Sequence, residues 1–153
     1  QKKYFFSNYQ LNIKSNSAQI FNSVDYYFSV YDNIKKAVEY PEKIDISINT
    51  PANNEFQEKF ESDCRNLKRL YFVNRRFDIY RADEYEYLIS FYGGICLARM
   101  NIKTNEIYCI FTKPEKFGID FIPNFIIIAL IEILFKLCII IFTGLKLRIL
   151  ICK

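Results

Sequence analysis

Histidine and tryptophan are absent from this chain of 153 residues, and methionine occurs once. Without histidine, no serine–histidine or cysteine–histidine nucleophilic pair, histidine general base or histidine-ligated zinc site can form. Four glycines and four prolines are too few for a collagen-like or proline-rich linker protein. Apolar residues make up 51% and charged residues 25%, which predicts an ordered globular domain.

Cysteine is present, but in an odd number and without the C-x-x-C spacing of zinc and redox motifs. The five cysteines are Cys64, Cys96, Cys109, Cys138 and Cys152. We therefore expect free thiols in a reducing compartment, and a cytoplasmic protein. The chain does not begin with methionine, and its first residues are too polar for the apolar centre of a signal peptide. We expect a fragment of a longer protein.

Charge is nearly balanced, with 21 basic and 17 acidic residues and a net charge of +4. Residues 1–119 and 120–153 each carry part of that small excess, so neither part is a basic lobe. Without a basic lobe, the sequence does not indicate a nucleic-acid partner. We expect the tightest basic cluster to be a solvated strand or loop surface. It consists of Arg65, Lys68, Arg69, Arg75 and Arg76.

Hydrophobic periodicity predicts the first elements of the chain. Apolar and polar residues alternate from Tyr9 to Lys14, which indicates a strand with one buried face. From Ala18 to Tyr31 an apolar stripe repeats with the helical period, and we expect its aromatic side chains to be core. A second alternation, Ile44 to Ile48, predicts another strand. The polar residues 55–66 fit either an exposed loop or a short helix.

The centre of the chain has a strong β signal. Residues 70–73, 77–80, 85–92, 95–102 and 106–112 are typical of strands. Gly93-Gly94 and the polar link 103–105 predict hairpin turns, so 85–112 is expected to form an antiparallel meander.

The segment 121–151 is rich in isoleucine and leucine and has two interpretations. As a membrane anchor it would place two charges, Glu132 and Lys136, near the centre of the bilayer, at a cost of about 2.5–3.5 kcal/mol each. As part of a folded domain it would start a helix near Pro123, expose both charges on one face and continue as a buried strand over 137–142. The sequence leaves both open.

The predicted fold class is therefore α+β. We expect an antiparallel β-meander with an N-terminal amphipathic helix, and an apolar C-terminal helix followed by a buried strand. Residues 1–119 would form the β-rich domain, and 120–153 the apolar helix–strand segment.

Paired carboxylates are the remaining candidates for chemistry. Asp83 lies beside Glu84 and Glu86, and Glu58 lies three residues before Glu61. Each group stands in a polar run next to lysine or arginine, so we expect solvated surface carboxylates rather than an acid–base pair. No catalytic, cofactor-binding or metal-binding residue is predicted.

The order of these elements resembles the N-terminal region of HPr kinase-like proteins, which have a phosphoenolpyruvate-carboxykinase-like fold. The likeness is carried by 11–17 with the helix to Tyr31, the strand 44–48, the meander 85–112 and the apolar segment 123–142. The resemblance implies an N-terminal β-rich part that precedes a phosphate-binding loop.

The chain departs from that family because no G-x-x-x-x-G-K-[ST] motif occurs in it. The resemblance therefore implies a non-catalytic part of a serine kinase, truncated before the loop and able at most to position a protein or peptide partner. ATP and Mg²⁺ would be expected only in a complete kinase. The alternative is a small membrane-anchored protein with a β-rich head. If 137–142 forms a strand that stays unpaired, its edge would promote self-association or aggregation of the isolated chain.

Overall fold

A computed structural model of the chain describes residues 1–6, 9–32, 42–70, 77–112 and 121–143. Within these residues the chain forms three helices and eight strands. The helices are α1 (Ala18–Asp32), α2 (Glu55–Arg65) and α3 (Phe121–Thr143). The strands are β1 (Lys2–Phe6), β2 (Tyr9–Ser15), β3 (Glu42–Asn49), β4 (Arg69–Leu70), β5 (Phe77–Arg81), β6 (Glu86–Phe91), β7 (Cys96–Asn101) and β8 (Glu106–Phe111).

The eight strands form one mixed sheet in the order β1-β2-β3-β8-β7-β6-β5-β4. The predicted α+β class and the meander of β6, β7 and β8 are confirmed. The expectation of a sheet that is only an antiparallel meander was wrong, because β2, β3 and β8 run parallel. Parallel neighbours need a long crossover connection, and α1 supplies one between β2 and β3. Alternation along a strand does not reveal which neighbour it pairs with or in which direction.

The two predicted hairpin turns are present at both ends of β7. Gly93 and Gly94 have φ angles of +69° and +98°, a region that glycine adopts without the steric cost of a Cβ atom. In the second turn Asn105 takes the left-handed conformation, with φ of 56°, which asparagine tolerates better than most residues.

One face of the sheet is covered by α1 and α3, and the main hydrophobic core lies beneath them. From α1, Ile20, Val24 and Phe28 are buried against the sheet. Their spacing of four residues places them on one side of a helix, so the prediction that this stripe is core is confirmed for these three residues.

The α3 helix corrects the expected strand over 137–142. The backbone is helical to Thr143, and the buried side chains recur at helical spacing. They are Ile126, Ile127, Leu130, Ile131, Ile133, Leu134 and Leu137. Packing of these residues on the sheet outweighs the strand preference of β-branched isoleucine, which is small and depends on context. Glu132 and Lys136 are both exposed, as expected.

Among the described residues, no helix combines the length and apolar character that crossing a membrane requires. The last part of the predicted segment, 144–151, lies outside the described residues.

The opposite face of the sheet carries α2, formed by the residues that fitted either a loop or a helix. Phe60 is its one buried residue and packs against Leu88 of β6 and Leu97 of β7. Glu55 and Glu58 lie in its first turn and Arg65 in its last, an arrangement that favours a helix by complementing its dipole.

Candidate binding groove

The open part of the α2-bearing sheet face holds a polar groove, whose floor is β2, β3, β8, β7 and the start of β6. Its volume is about 340 Å³. Most of its lining side chains are charged or can form hydrogen bonds: Lys14, Asp45, Ser47, Glu86, Arg99, Asn101, Glu106, Ile107 and Tyr108. Because successive side chains of a strand point to opposite faces, the core residues that alternate with the groove residues lie on the face that α1 and α3 cover.

The strand register arranges these side chains in two rows across the sheet. In the first row each residue is the direct cross-strand partner of the next, and four of its members line the groove. This acidic row consists of Asn12, Asp45, Glu106, Asn101 and Glu86. Like charges on directly opposed residues destabilise a sheet pair, so the fold bears a cost where Asp45 lies opposite Glu106.

The second row lies two residues away on each strand, on the same side of the first row, and carries the cations. This basic row consists of Lys14, Ser47, Tyr108 and Arg99, again as direct cross-strand partners. Two residues of a strand span about 6.8 Å. The groove therefore has carboxylates along one side and cations along the other, separated by that distance.

Arg99 is the only groove cation that forms an ion pair within the described part of the chain. Its guanidinium donates to Glu86 and to Asp63 of α2, the second at 2.9 Å. Burial disfavours the charged guanidinium, but its hydrogen bonds to the two carboxylates outweigh burial and raise the pKa of Arg99. Arg99 therefore links α2 to the sheet. Because both of its partners are carboxylates, its positive charge is already neutralised and attracts a ligand only weakly.

Three charged groups of the groove have no ion-pair partner among the described residues. Asp45 accepts a hydrogen bond from the amide of Asn12 at 2.8 Å, and Glu106 accepts one from the Thr104 hydroxyl at 2.8 Å. Lys14 is exposed and forms no ion pair with a described residue. These two carboxylates and one ammonium group are the charges available to a bound molecule.

An aromatic contact places α2 beside the groove. The ring centroids of Phe56 and Tyr108 are 5.2 Å apart, and Tyr108 keeps 39% of its surface exposed. A partly exposed tyrosine gives the polar floor an apolar surface on which a bound chain can pack.

A second cavity lies near the hairpin turn between β6 and β7, beside the C-terminal part of α2. Its volume is also about 340 Å³, and its lining includes Phe60, Cys64, Ser90, Gly94 and Leu97. Burial raises the pKa of the Cys64 thiol from 9.0 to about 11, and the charge of Asp63 adds to the shift. The thiolate is the reactive form of cysteine, so this cavity does not present an activated nucleophile.

We expect Cys64 to react slowly with iodoacetamide. At pH 8 a rise of two pKa units lowers the thiolate fraction roughly a hundredfold relative to the unfolded chain. Because a thiolate of higher pKa is also more nucleophilic, we expect the alkylation rate to fall about tenfold. Labelling followed by peptide mass spectrometry, with and without guanidinium chloride, measures the ratio. Equal rates in the two conditions would contradict the buried environment.

Because the Cys64 thiol holds its proton to a higher pH in the folded state than in the unfolded state, its contribution to stability is present below pH 9. That contribution is lost as the pH rises towards 11.

The carboxyl ends of β2 and β3 are a third candidate site. In many α/β sheets ligands bind where the helices that follow two neighbouring strands lie on opposite faces, as α1 and α2 do here. Here Asn16 joins the two strand ends. Its side chain accepts from the Thr50 backbone N–H at 2.8 Å and donates to the Thr50 carbonyl at 2.9 Å, while its own N–H donates to Asn49. These amides satisfy one another, so we interpret this as a structural link.

Of the carboxylates that the sequence singled out, only Glu86 lies in the groove. Asp83 instead accepts hydrogen bonds from the backbone N–H groups of Tyr85 and Glu86 and so shapes the turn before β6. Glu58 and Glu61 are exposed on α2. These positions are those of surface carboxylates, as expected, with Glu86 as the exception.

The described members of the basic cluster lie at the end of α2 and at or just before β4, and Arg65 lines the second cavity. Arg69 pairs with Asp78 on the neighbouring strand, and Arg65 and Lys68 are exposed. Arg75 and Arg76 lie outside the described residues. Within the described ranges, no group of three or more histidine, cysteine, aspartate or glutamate side chains is placed to hold a metal ion. Cys64, Cys96, Cys109 and Cys138 are free thiols, and Cys152 is not among the described residues.

Sequence reasoning missed Lys14, Asp45 and Ser47 as groove residues. The alternation of β2 and β3 put them on polar faces, but only the register shows that those faces continue onto β8 and β7. Comparison with known proteins finds no matching family model, no curated protein and no solved structure similar to this chain.

Proposed function

We propose that this chain is a non-catalytic binding domain that positions a protein or peptide partner in the polar groove. This is the role expected for the N-terminal part of an HPr kinase-like serine kinase. The observation that carries the proposal is the groove itself, where Asp45, Glu106 and Lys14 offer charges that no ion pair uses within the described residues.

The chemistry of the groove favours binding over catalysis. The Ser47 hydroxyl accepts a hydrogen bond from the Asn49 side-chain amide at 2.9 Å, and among the described residues it is not hydrogen-bonded to the adjacent base that activates a nucleophile. Side chains fixed on strands hold their positions better than side chains on loops, which suits recognition. The kinase assignment is supported by the order of elements from β2 to α3, without the strand expected over 137–142, which belongs to α3. Because the sequence contains no G-x-x-x-x-G-K-[ST] motif, we infer a part of such a kinase that lacks the phosphate-binding loop.

A blocking substitution tests the proposal. Ser47 lies at the centre of the groove floor, between its register partners Lys14 and Tyr108, so Ser47→Trp fills the groove while the charges remain. We expect short peptides selected on the wild-type chain from a displayed random library to bind Ser47→Trp at least tenfold more weakly, a loss of about 1.4 kcal/mol. Fluorescence polarisation measures both affinities.

The matched control is Ser90→Trp, the same change in the second cavity. It leaves peptide binding unchanged if the polar groove is the binding site. A loss of binding with Ser90→Trp and not with Ser47→Trp contradicts the assignment. Phosphorylation of a bound peptide by the isolated chain with ATP and Mg²⁺ contradicts the non-catalytic role.

A further inference from the structure

The two rows of the groove have a charge pattern that an extended polypeptide can match. Along β2 and β8 the acidic row and the basic row are two residues apart, as Asn12 is from Lys14 and Glu106 is from Tyr108. An extended peptide has the same repeat, because its side chains at positions i and i+2 lie on one face about 6.8 Å apart. Strand and ligand therefore have the same spacing between charges.

Charge complementarity then fixes the sign at each position. A basic side chain over the acidic row would meet Asp45 and Glu106, which are adjacent on neighbouring strands. An acidic side chain two residues away would lie over the basic row, where Lys14 is the available cation. Arg99 is already bonded to Glu86 and Asp63, and so contributes less to binding.

Resting on the proposed function, we infer that the groove takes an extended polypeptide segment in which a basic residue and an acidic residue are two positions apart. The ring of Tyr108, a member of the basic row, packs against the peptide. Segments whose opposite charges are adjacent in sequence put them on opposite faces, and so satisfy only one row at a time. The groove distinguishes the two patterns by spacing, not by net charge.

Two peptides of identical composition and zero net charge test the inference. One contains three repeats of Lys-Ser-Asp-Ser, which puts lysine and aspartate on one face of an extended chain. The other contains three repeats of Lys-Asp-Ser-Ser, which puts them on opposite faces. Because the peptides do not differ in net charge, the net charge of +4 on the protein acts equally on both. We expect the first peptide to bind about tenfold more tightly by calorimetry or fluorescence polarisation.

Substitutions within the groove give a second readout. Asp45→Asn keeps an oxygen for the hydrogen bond with Asn12, and Lys14→Gln keeps most of the length of the lysine chain, so neither removes a core contact. We expect each to weaken the Lys-Ser-Asp-Ser peptide several-fold, while Glu84→Gln, on an exposed turn residue, leaves it unchanged. Circular dichroism confirms that each variant is folded.

The outcomes separate this inference from the proposed function. Equal binding of both peptides that Ser47→Trp abolishes overturns the spacing rule and leaves the groove as a binding site. Failure of both peptides to bind overturns the spacing rule, while library-selected peptides still test the groove. Tight binding that Asp45→Asn and Lys14→Gln do not change also overturns it.

Discussion

Leu130→Ala is expected to lower the free energy of unfolding by about 3 kcal/mol. Leu130 is fully buried in the middle of α3, within the core that the helix shares with the sheet and α1. Removing a leucine side chain from such a site loses its transfer free energy and leaves a cavity that the neighbours fill only in part. Urea denaturation followed by far-ultraviolet circular dichroism measures the change.

Phe135→Ala is the matched control for this prediction. Phe135 lies on the same helix, but 53% of its surface is exposed, and we expect its loss to change stability by less than about 1 kcal/mol. If the two substitutions had the same small effect, α3 would not pack on the sheet through Leu130. That result would contradict the packing of α3 on the sheet.

Phe60→Ala is expected to lower the free energy of unfolding by about 3 kcal/mol and to weaken peptide binding. Phe60 is the buried residue by which α2 packs on Leu88 and Leu97, and 3% of it is exposed. Truncating a buried phenylalanine typically costs about 3–5 kcal/mol. Because Phe56, which contacts Tyr108, is on the same helix, a shift of α2 also alters the edge of the groove.

Lys59→Ala tests whether these effects come from the buried contact. Lys59 is the preceding residue and is exposed, and alanine has a helix propensity at least as high as that of lysine. We expect unchanged stability and unchanged peptide affinity. A stable Phe60→Ala variant would contradict the packing of α2 on the sheet.

Elements with strong local periodicity were predictable from the sequence. The stripe of α1 repeats every four residues, and the strand alternation of β2 and β3 specifies which of their faces is buried. The hairpin turns carry glycine or a polar link where the chain reverses. In each case the signal lies within a short window, so no knowledge of distant residues is needed.

Tertiary contacts determined the rest. The residues of 137–142 have a strand preference by composition, but Leu137 continues the buried side of α3, and packing decided its conformation. The short polar helix α2 depends on the packing of Phe60 against Leu88 and Leu97, which are distant in sequence. Strand order and direction likewise depend on which long connections form.

The groove was not predictable for the same reason. Asp45 and Glu106 are 61 residues apart in the sequence and become direct partners only when β3 pairs with β8 in parallel. The sequence did give the polar faces of the individual strands. It could not show that those faces align in rows with opposite charge, since that alignment is a property of the register.

The measurement that tests the groove most directly is an NMR titration of the isotope-labelled chain with the peptide of three Lys-Ser-Asp-Ser repeats. We expect amide shift changes that cluster at Lys14, Ser47 and Glu106 on the groove floor and that saturate with peptide concentration. Changes that cluster instead around Phe60 and Gly94 in the second cavity would contradict the groove as the binding site. No change at the highest peptide concentration would contradict the spacing rule.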